Sequence, residues 1–275
     1  MPYPLKERNV LVTGGSRGLG ELICVKFAQE GANVAINYNT SEDRAKGVKE
    51  RIEKDPGCEG VKAVVVGGDM GEEAEVIKTV KETISLLGGL DIIISNAGYT
   101  RFSTFSDLSA PTTEDWDTCY AVNVKAQAIL LREALPTFTA NPEGGALIIT
   151  SSIAGRELSL ATAVLLWHTN QMDRRIPGGS CMPYAVTKAA QLHLMRCLAA
   201  TQGPKVRVNA VLPGLLKTEW GVKYGEESME EMEKKAWLKR DTDMDDCAQA
   251  YIDIAKNTSL TGQRIQIDSG LGQND

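Results

Sequence analysis

The chain is poor in the residues that build metal centres and disulfide frameworks. It has two histidines, His168 and His193, far apart, with Cys197 the single cysteine within ten residues of either; that is too few ligands for a site, so no metal is expected. Six cysteines (Cys24, Cys58, Cys119, Cys181, Cys197, Cys247) are scattered without a C-x-x-C pair. A chain of 275 residues buries an adequate core without covalent staples, which makes free thiols in a reducing compartment the expectation. Long apolar runs are missing too. The longest, around Leu158 to Trp167, is about half the ~20 residues a spanning helix needs, so no membrane partner is expected. Met1 to Arg8 is polar, carries prolines and leads straight into a strand; without an apolar signal region, a cytoplasmic location is the expectation. Excess positive charge is absent, with 30 bases against 36 acids and a net charge of −6. That balance is a poor footprint for nucleic acid.

What is present is a regular alternation. Apolar strands are predicted at Asn9–Thr13, Asn33–Asn37, Val61–Val66, Leu90–Ser95, Ala146–Thr150, Val206–Leu212 and Arg264–Asp268. Helical patterns fall between them, at Gly18–Glu30, Ser41–Lys54, Glu72–Leu87, within Thr113–Phe138, and from Pro183 to about Ala200. Continuously apolar strands separated by helices predict a parallel sheet covered on both faces. The expected fold is therefore α/β: a single-domain, Rossmann-like, doubly wound parallel sheet of about seven strands. Ligands of such a sheet bind at the carboxyl ends of its strands.

Thr13-Gly14-Gly15-Ser16-Arg17-Gly18-Leu19-Gly20 lies between the first strand and its helix. Glycines permit a tight turn and close approach of a ligand to the backbone. The helix N-terminus behind them offers free N–H groups and partial positive charge to a pyrophosphate. In this position the loop predicts nucleotide binding. Its spacing is G-x-x-x-G-x-G rather than the commoner G-x-G-x-x-G.

Tyr184 and Lys188 are four apart at the start of a predicted helix, so their side chains share a face. A free phenol, with a pKa near 10, is a poor proton carrier at neutral pH; a neighbouring ammonium favours the phenolate and is expected to lower it. Alone, the pair is a common coincidence. Here it has company: Ser152 after the fifth strand, Asn123 in the long helix before it, and Asn96-Ala97-Gly98 closing the fourth strand.

The combination resembles the short-chain dehydrogenase/reductase family in its standard subclass. The matching stretches are TGGSRGLG at 13–20, Asp69, SNAG at 95–98, Asn123, Ser152, YAVTK at 184–188, PG at 213–214 with Thr218, and TGQRIQIDSG at 261–270, which span nearly the whole chain. The resemblance implies hydride transfer between a nicotinamide and a carbonyl or alcohol carbon. It implies that Tyr184 gives the proton to the developing alkoxide, Ser152 holds the substrate oxygen, Lys188 holds the nicotinamide ribose, and Asn123 holds a relay water. For the cofactor it implies contacts from Gly14, Ser16, Arg17, Gly18, Leu19 and Gly20, and from Asp69 and Met70 beside the adenine. Asn96, Ala97 and Gly98 would line the adenine-ribose side, and Pro213, Gly214, Leu215 and Thr218 the carboxamide. Ser95 stands where the family more often has asparagine. Enoyl reductases of the family space the tyrosine and lysine further apart. A homo-oligomer, tetramer or dimer, through helices near 114–136 and 184–200 is also implied.

Strand two ends in Asn37-Tyr38-Asn39-Thr40-Ser41, with no acid until Glu42. NAD-preferring sites carry a carboxylate there for the ribose diol. Arg17, inside the glycine turn, offers a guanidinium to a 2′-phosphate instead. Tyr38, Asn39 and Ser41 are thus expected beside that phosphate, the cofactor is expected to be NADP(H), and the direction reduction. The functional expectation is an NADPH-dependent ketone or carbonyl reductase acting on a small molecule. The alternatives are an alcohol or sugar dehydrogenase working oxidatively, and a nucleotide-binding regulator without turnover. Retention of Asn123, Ser152, Tyr184 and Lys188 together argues against the regulator.

Residues 153–183 form a connection longer than the family usually has, read as an insertion near the site, with an apolar helix at 157–167 and a polar loop at 168–182. Structureless connections of that length are uncommon and often functional. Residues 215–240 are expected to form a variable wall or lid, with a charged helix from Glu226 to Lys235. Trp220, Tyr224 and Trp237 are candidate substrate contacts or core residues. The two histidines are read as structural.

Overall fold

A computed structural model describes residues 3–155 and 179–273. The predicted apolar helix at 157–167, most of the polar stretch after it, and His168 lie outside the described residues. Seven parallel strands form one sheet: β1 (Asn9–Val12), β2 (Asn33–Tyr38), β3 (Ala63–Gly67), β4 (Ile92–Ser95), β5 (Gly145–Thr150), β6 (Val206–Pro213) and β7 (Arg264–Ile267). Their order is β3-β2-β1-β4-β5-β6-β7. The chain reverses its direction of travel across the sheet between β1 and β4, and a doubly wound sheet opens its ligand crevice at such a switch.

Side chains alternate across each strand, and both faces are buried. Val10, Val12, Ile92 and Ile94 point into one layer with Phe27, Ile52 and Tyr251. Leu11, Ile93, Leu147 and Ile149 point into the other with Val80, Leu130 and Phe138. The first layer is covered by α1 (Gly18–Gln29), α2 (Glu42–Lys54) and α8 (Met244–Lys256). The second lies beneath α3 (Glu73–Leu87), α5 (Ala126–Ala140) and α6 (Met182–Gln202). Burying each such aliphatic side chain contributes roughly 1.5–3 kcal/mol, which explains why strands with no polar face are stable here and nowhere else. The α/β, doubly wound reading of the sequence is correct.

The predicted helix across Thr113–Phe138 is interrupted. Helix α4 (Thr113–Tyr120) starts from a capping box, in which the Thr112 hydroxyl accepts the Asp115 N–H and the Asp115 carboxylate accepts the Thr112 N–H. It runs into a π-helical turn, Ala121–Lys125, before α5 resumes. The charged run forms a helix as expected, α7 (Glu226–Lys235), with no buried residue in it. Among the described residues no helix is long and apolar enough to cross a membrane. The six thiols are free, and only Cys197 is exposed.

Candidate active site

The carboxyl ends of β1, β2 and β4 hold the glycine loop from beneath. Gly14 and Gly18 have φ of 62° and 55°, in the left-handed region that favours glycine. At Gly20 a Cβ would lie 2.3 Å from the Gly14 carbonyl oxygen and 2.7 Å from the Asn96 amide nitrogen, so only glycine fits. Three buried or half-buried polar side chains fasten the loop. The Thr13 hydroxyl accepts the N–H groups of Asn96 and Ala97, both at 3.0 Å. Asn96 returns its side-chain amide to the carbonyls of Thr13 and Gly14, at 3.1 and 3.3 Å. Asn37, 1 % exposed, accepts the Gly14 N–H at 3.1 Å and donates to the carbonyls of Val66 and Gly68 at 3.2 and 3.1 Å. The Asn96 amide, expected to line a ribose, is therefore engaged in bracing the loop. Neither Asn37 nor Thr13 carries an expected role in the sequence, where the available signal is a polar residue at the end of an apolar strand.

Other expected cofactor contacts gather along the same edge. Asn39 donates to Asp69 at 2.9 Å, and Asp69 accepts the Gly71 N–H at 2.7 Å. Tyr38 shares a hydrogen bond with Glu42, which is also paired with Lys46 at 2.9 Å, and Ser41 caps α2 without a side-chain bond. Leu19, Met70 and Leu215 are buried, which leaves them main-chain atoms rather than side chains to offer a ligand. Arg17 is the N-cap residue of α1. Its guanidinium meets Glu219 at 3.3 Å, and Arg44, which belongs to no motif of the sequence, meets the same carboxylate at 2.5 Å. The glycine cradle, the helix N-terminus behind it and this pair of guanidinia fit a phosphorylated dinucleotide in donor chemistry.

Opposite the loop, α6 carries Tyr184 and Lys188. The helix starts at Met182–Pro183 behind Cys181, whose sulfur accepts the Tyr184 N–H at 3.4 Å. The Cys181 sulfur also lies 3.3 Å from the Thr100 hydroxyl and receives a hydrogen bond from Cys119; these contacts push the Cys181 thiol down and, with burial, the Cys119 thiol up. Tyr184 is hydrogen-bonded to Ser152, and the Ser152 hydroxyl accepts the Ala154 N–H at 3.1 Å. Lys188 is 3 % exposed. Its Nζ donates to the Thr150 carbonyl at 2.9 Å and stands 5.2 Å from the centroid of the Tyr184 ring.

The Tyr184 pKa is raised rather than lowered as expected: burial lifts it above the ordinary tyrosine value, and the Ser152 hydrogen bond offsets only part of that. The reason is the shared burial of the pair. Desolvation pulls Lys188 itself down to about 7, so near neutral pH it is not a dependable positive charge.

Asn123 sits in the π-helical turn, fully buried. Its Oδ1 accepts the Tyr99 N–H at 2.9 Å, and its Nδ2 donates to the Tyr99 carbonyl and the Thr187 hydroxyl, both at 3.0 Å. The amide thus ties the end of β4 to α6, one residue before Lys188, and has both donors in use.

An aromatic group closes the top. Trp220 packs edge-on to Tyr184 at 5.7 Å, and Phe102 edge-on to Tyr224 at 5.0 Å. Trp237 lies elsewhere, 62 % exposed against Gly270. His193 is exposed on α6. Among the described residues no cluster of three His, Cys, Asp or Glu side chains is placed to hold a metal ion.

Comparison with known proteins adds a lineage to this geometry. A family model described as enoyl-(acyl carrier protein) reductase matches residues 14–272. The chain is 33% identical to a glucose 1-dehydrogenase of Gluconobacter oxydans (strain 621H), over 98% of its own length and 96% of that enzyme. It is 30% identical to the 3-oxoacyl-[acyl-carrier-protein] reductase FabG of Staphylococcus aureus (strain Mu50 / ATCC 700699), with 96% and 98% covered. A solved short-chain dehydrogenase from Burkholderia cenocepacia J2315, in complex with NADP, superimposes with a TM-score of 0.81 at 30% identity, covering 98% of this chain and 99% of that one.

Proposed function

Because this chain belongs to the short-chain dehydrogenase/reductase family and is an oxidoreductase of that type, we propose that it is an NADPH-dependent reductase of a small ketone or other carbonyl compound. The observation that carries the reading is the meeting of the Tyr184 hydroxyl with Ser152, beside the buried Lys188. Carbonyl reduction consumes a proton, and the neutral phenol is the form that supplies one; alcohol oxidation starts from the phenolate. When bound, a nicotinamide dinucleotide supplies the hydride.

The chain's own residues do the rest. Ser152 and the Tyr184 hydroxyl form a two-point cradle that orients the substrate oxygen, and Tyr184 releases its proton to that oxygen as negative charge develops. Lys188, anchored to the Thr150 carbonyl and beside the Tyr184 ring, takes its place on the ribose side. The Asn123 amide, bonded to Tyr99 and Thr187, holds the end of β4 against α6 and so keeps Tyr184 and Lys188 in place. The YAVTK spacing at 184–188 favours ketone over enoyl reduction within the family, and similarity to a 3-oxoacyl reductase supports the same choice. Residues 215–240 form the variable wall against the substrate, and the helices at 114–136 and 184–200 are the surfaces for a homo-oligomer.

A second reading rests on the glucose 1-dehydrogenase relative: oxidation of a sugar or other alcohol at the same site, with the phenolate as base. Replacing Tyr184 with phenylalanine tests both. We expect kcat to fall at least ~10³-fold, with the Kd for NADPH within about twofold of wild type. Turnover within tenfold of wild type would remove Tyr184 from the chemistry. Assayed in both directions over a pH range, wild type is expected to reduce β-ketoesters or aromatic ketones better than it oxidises glucose at neutral pH; the reverse would favour the second reading.

A further inference from the structure

Residues 218–224 run along the cleft as a strap between its two ends. The Thr218 methyl stands 3.4 Å from where a Gly18 Cβ would be, and Trp220 covers Tyr184 and Gly98. Glu219, between them, turns towards the glycine loop. Its Oε1 accepts from Arg44 at 2.5 Å and its Oε2 from Arg17 at 3.3 Å, while Lys223 of the strap acts on the same carboxylate. Three cations therefore surround one carboxylate, and the cluster keeps an excess of positive charge. Arg17 and Arg44 come from two different elements, the turn before α1 and the first turn of α2, and nothing in the fold of either requires them to converge.

The cluster is built to be exchanged. The side chains of Glu219, Arg17 and Arg44 are 59%, 61% and 51% exposed, and ion pairs so open to water bind weakly. A phosphate monoester carries more charge than a carboxylate and has three acceptor oxygens for the same donors. It would outcompete Glu219 on those two guanidinia.

We propose that Glu219 is an internal stand-in for the 2′-phosphate, holding Arg17 and Arg44 in its absence and yielding them when it arrives, so that it weakens NADPH binding and narrows the preference over NADH. The inference rests on the NADPH reading above. A site that must first release its own carboxylate has its affinity reduced to the fraction of time it is open. NADH has no phosphate to claim the guanidinia and leaves the clamp in place. Because Trp220 follows Glu219 directly, the same exchange unties the strap from α2 at the moment of cofactor binding.

The test is isothermal titration of the intact protein with NADPH, NADH and adenosine 2′,5′-bisphosphate, comparing wild type with Glu219→Gln. As a control for net charge, Glu59→Gln removes the same charge from an exposed position ahead of β3. We expect Glu219→Gln to tighten NADPH and the bisphosphate 3- to 10-fold, in roughly the range of exposed charge pairs, with NADH within twofold and the Glu59→Gln values at wild type. Raising salt should shrink the gain. Unchanged NADPH affinity in Glu219→Gln, or equal gains for NADPH and NADH, would overturn the proposal. Equal wild-type affinities for the two dinucleotides would remove the NADPH reading alone, and the bisphosphate titration of Glu219→Gln would still decide the role of Glu219.

Discussion

Thr13 and Asn37, fully buried, and Asn96, half-buried, are held to the backbone at 3.0–3.3 Å on one side of the cleft. On the strap side, Glu219 reaches across to Arg17 and Arg44, and the charges of α7 meet one another, through exposed ion pairs. The contrast separates two duties. A buried polar bond that loses its partner leaves a desolvated group behind, which costs about 1–3 kcal/mol, so the loop wall has one arrangement. An exposed ion pair is replaced by water at almost no cost, so the strap wall can rearrange around whatever enters.

The loop wall should break first and furthest. Valine at Gly20 would drive its Cβ to within 2.3 Å of a main-chain oxygen, and overpacking of this kind costs roughly 1–3 kcal/mol. For Gly20→Val we expect dinucleotide affinity to drop at least ~100-fold by titration, with Tm lower by several degrees. A variant that binds normally would mean the loop is as yielding as the strap.

The buried Tyr184–Lys188 pair sharpens the comparison through pH. Lys188 is held near 7 in the folded chain, against ~10.4 when unfolded. Between those values the unfolded chain keeps a proton that the folded chain has released, so this residue makes stability rise with pH from about 7 to about 10, by at most ~1.4 kcal/mol per pH unit. The same contribution is lost as pH falls through 7. Thermal melts of wild type and Lys188→Met across that window should show the steeper rise in wild type; parallel curves would place Lys188 in contact with water.

Least should happen on the far side of the strap. Glu230 and Lys234 pair at 3.2 Å on α7, with side chains 68% and 75% exposed. Lys234→Ala is expected to move Tm by less than about 2 °C. A larger fall would mean that α7 is packed rather than solvated.

The same contrast explains what could be read from the amino acids beforehand. Strands such as Ile92–Ser95 and Gly145–Thr150 are apolar on both faces, a signature that only a sheet covered twice produces, and the glycine loop declares itself by composition. Tyr184, Lys188 and Ser152 were found by spacing and position, and they do meet. Spacing says nothing of desolvation, however, so the direction of the Tyr184 shift came out reversed. Arg44 and Glu219 are 175 positions apart, and neither residue type nor periodicity announces a meeting at that distance. The turn at Ala121–Lys125 leaves no compositional mark either, since its residues would suit an ordinary helix equally well.

That turn has a consequence for how the helix around it is written. Each residue of a regular α-helix advances about 100° around the axis, so the one surplus residue in a π-turn resets the angular phase of everything that follows. Asn123 can face the catalytic side while Leu130, Leu131 and Ala134 still face the core. Upstream and downstream segments thereby become separate pages of one document, and substitutions on either can accumulate without forcing the other to turn.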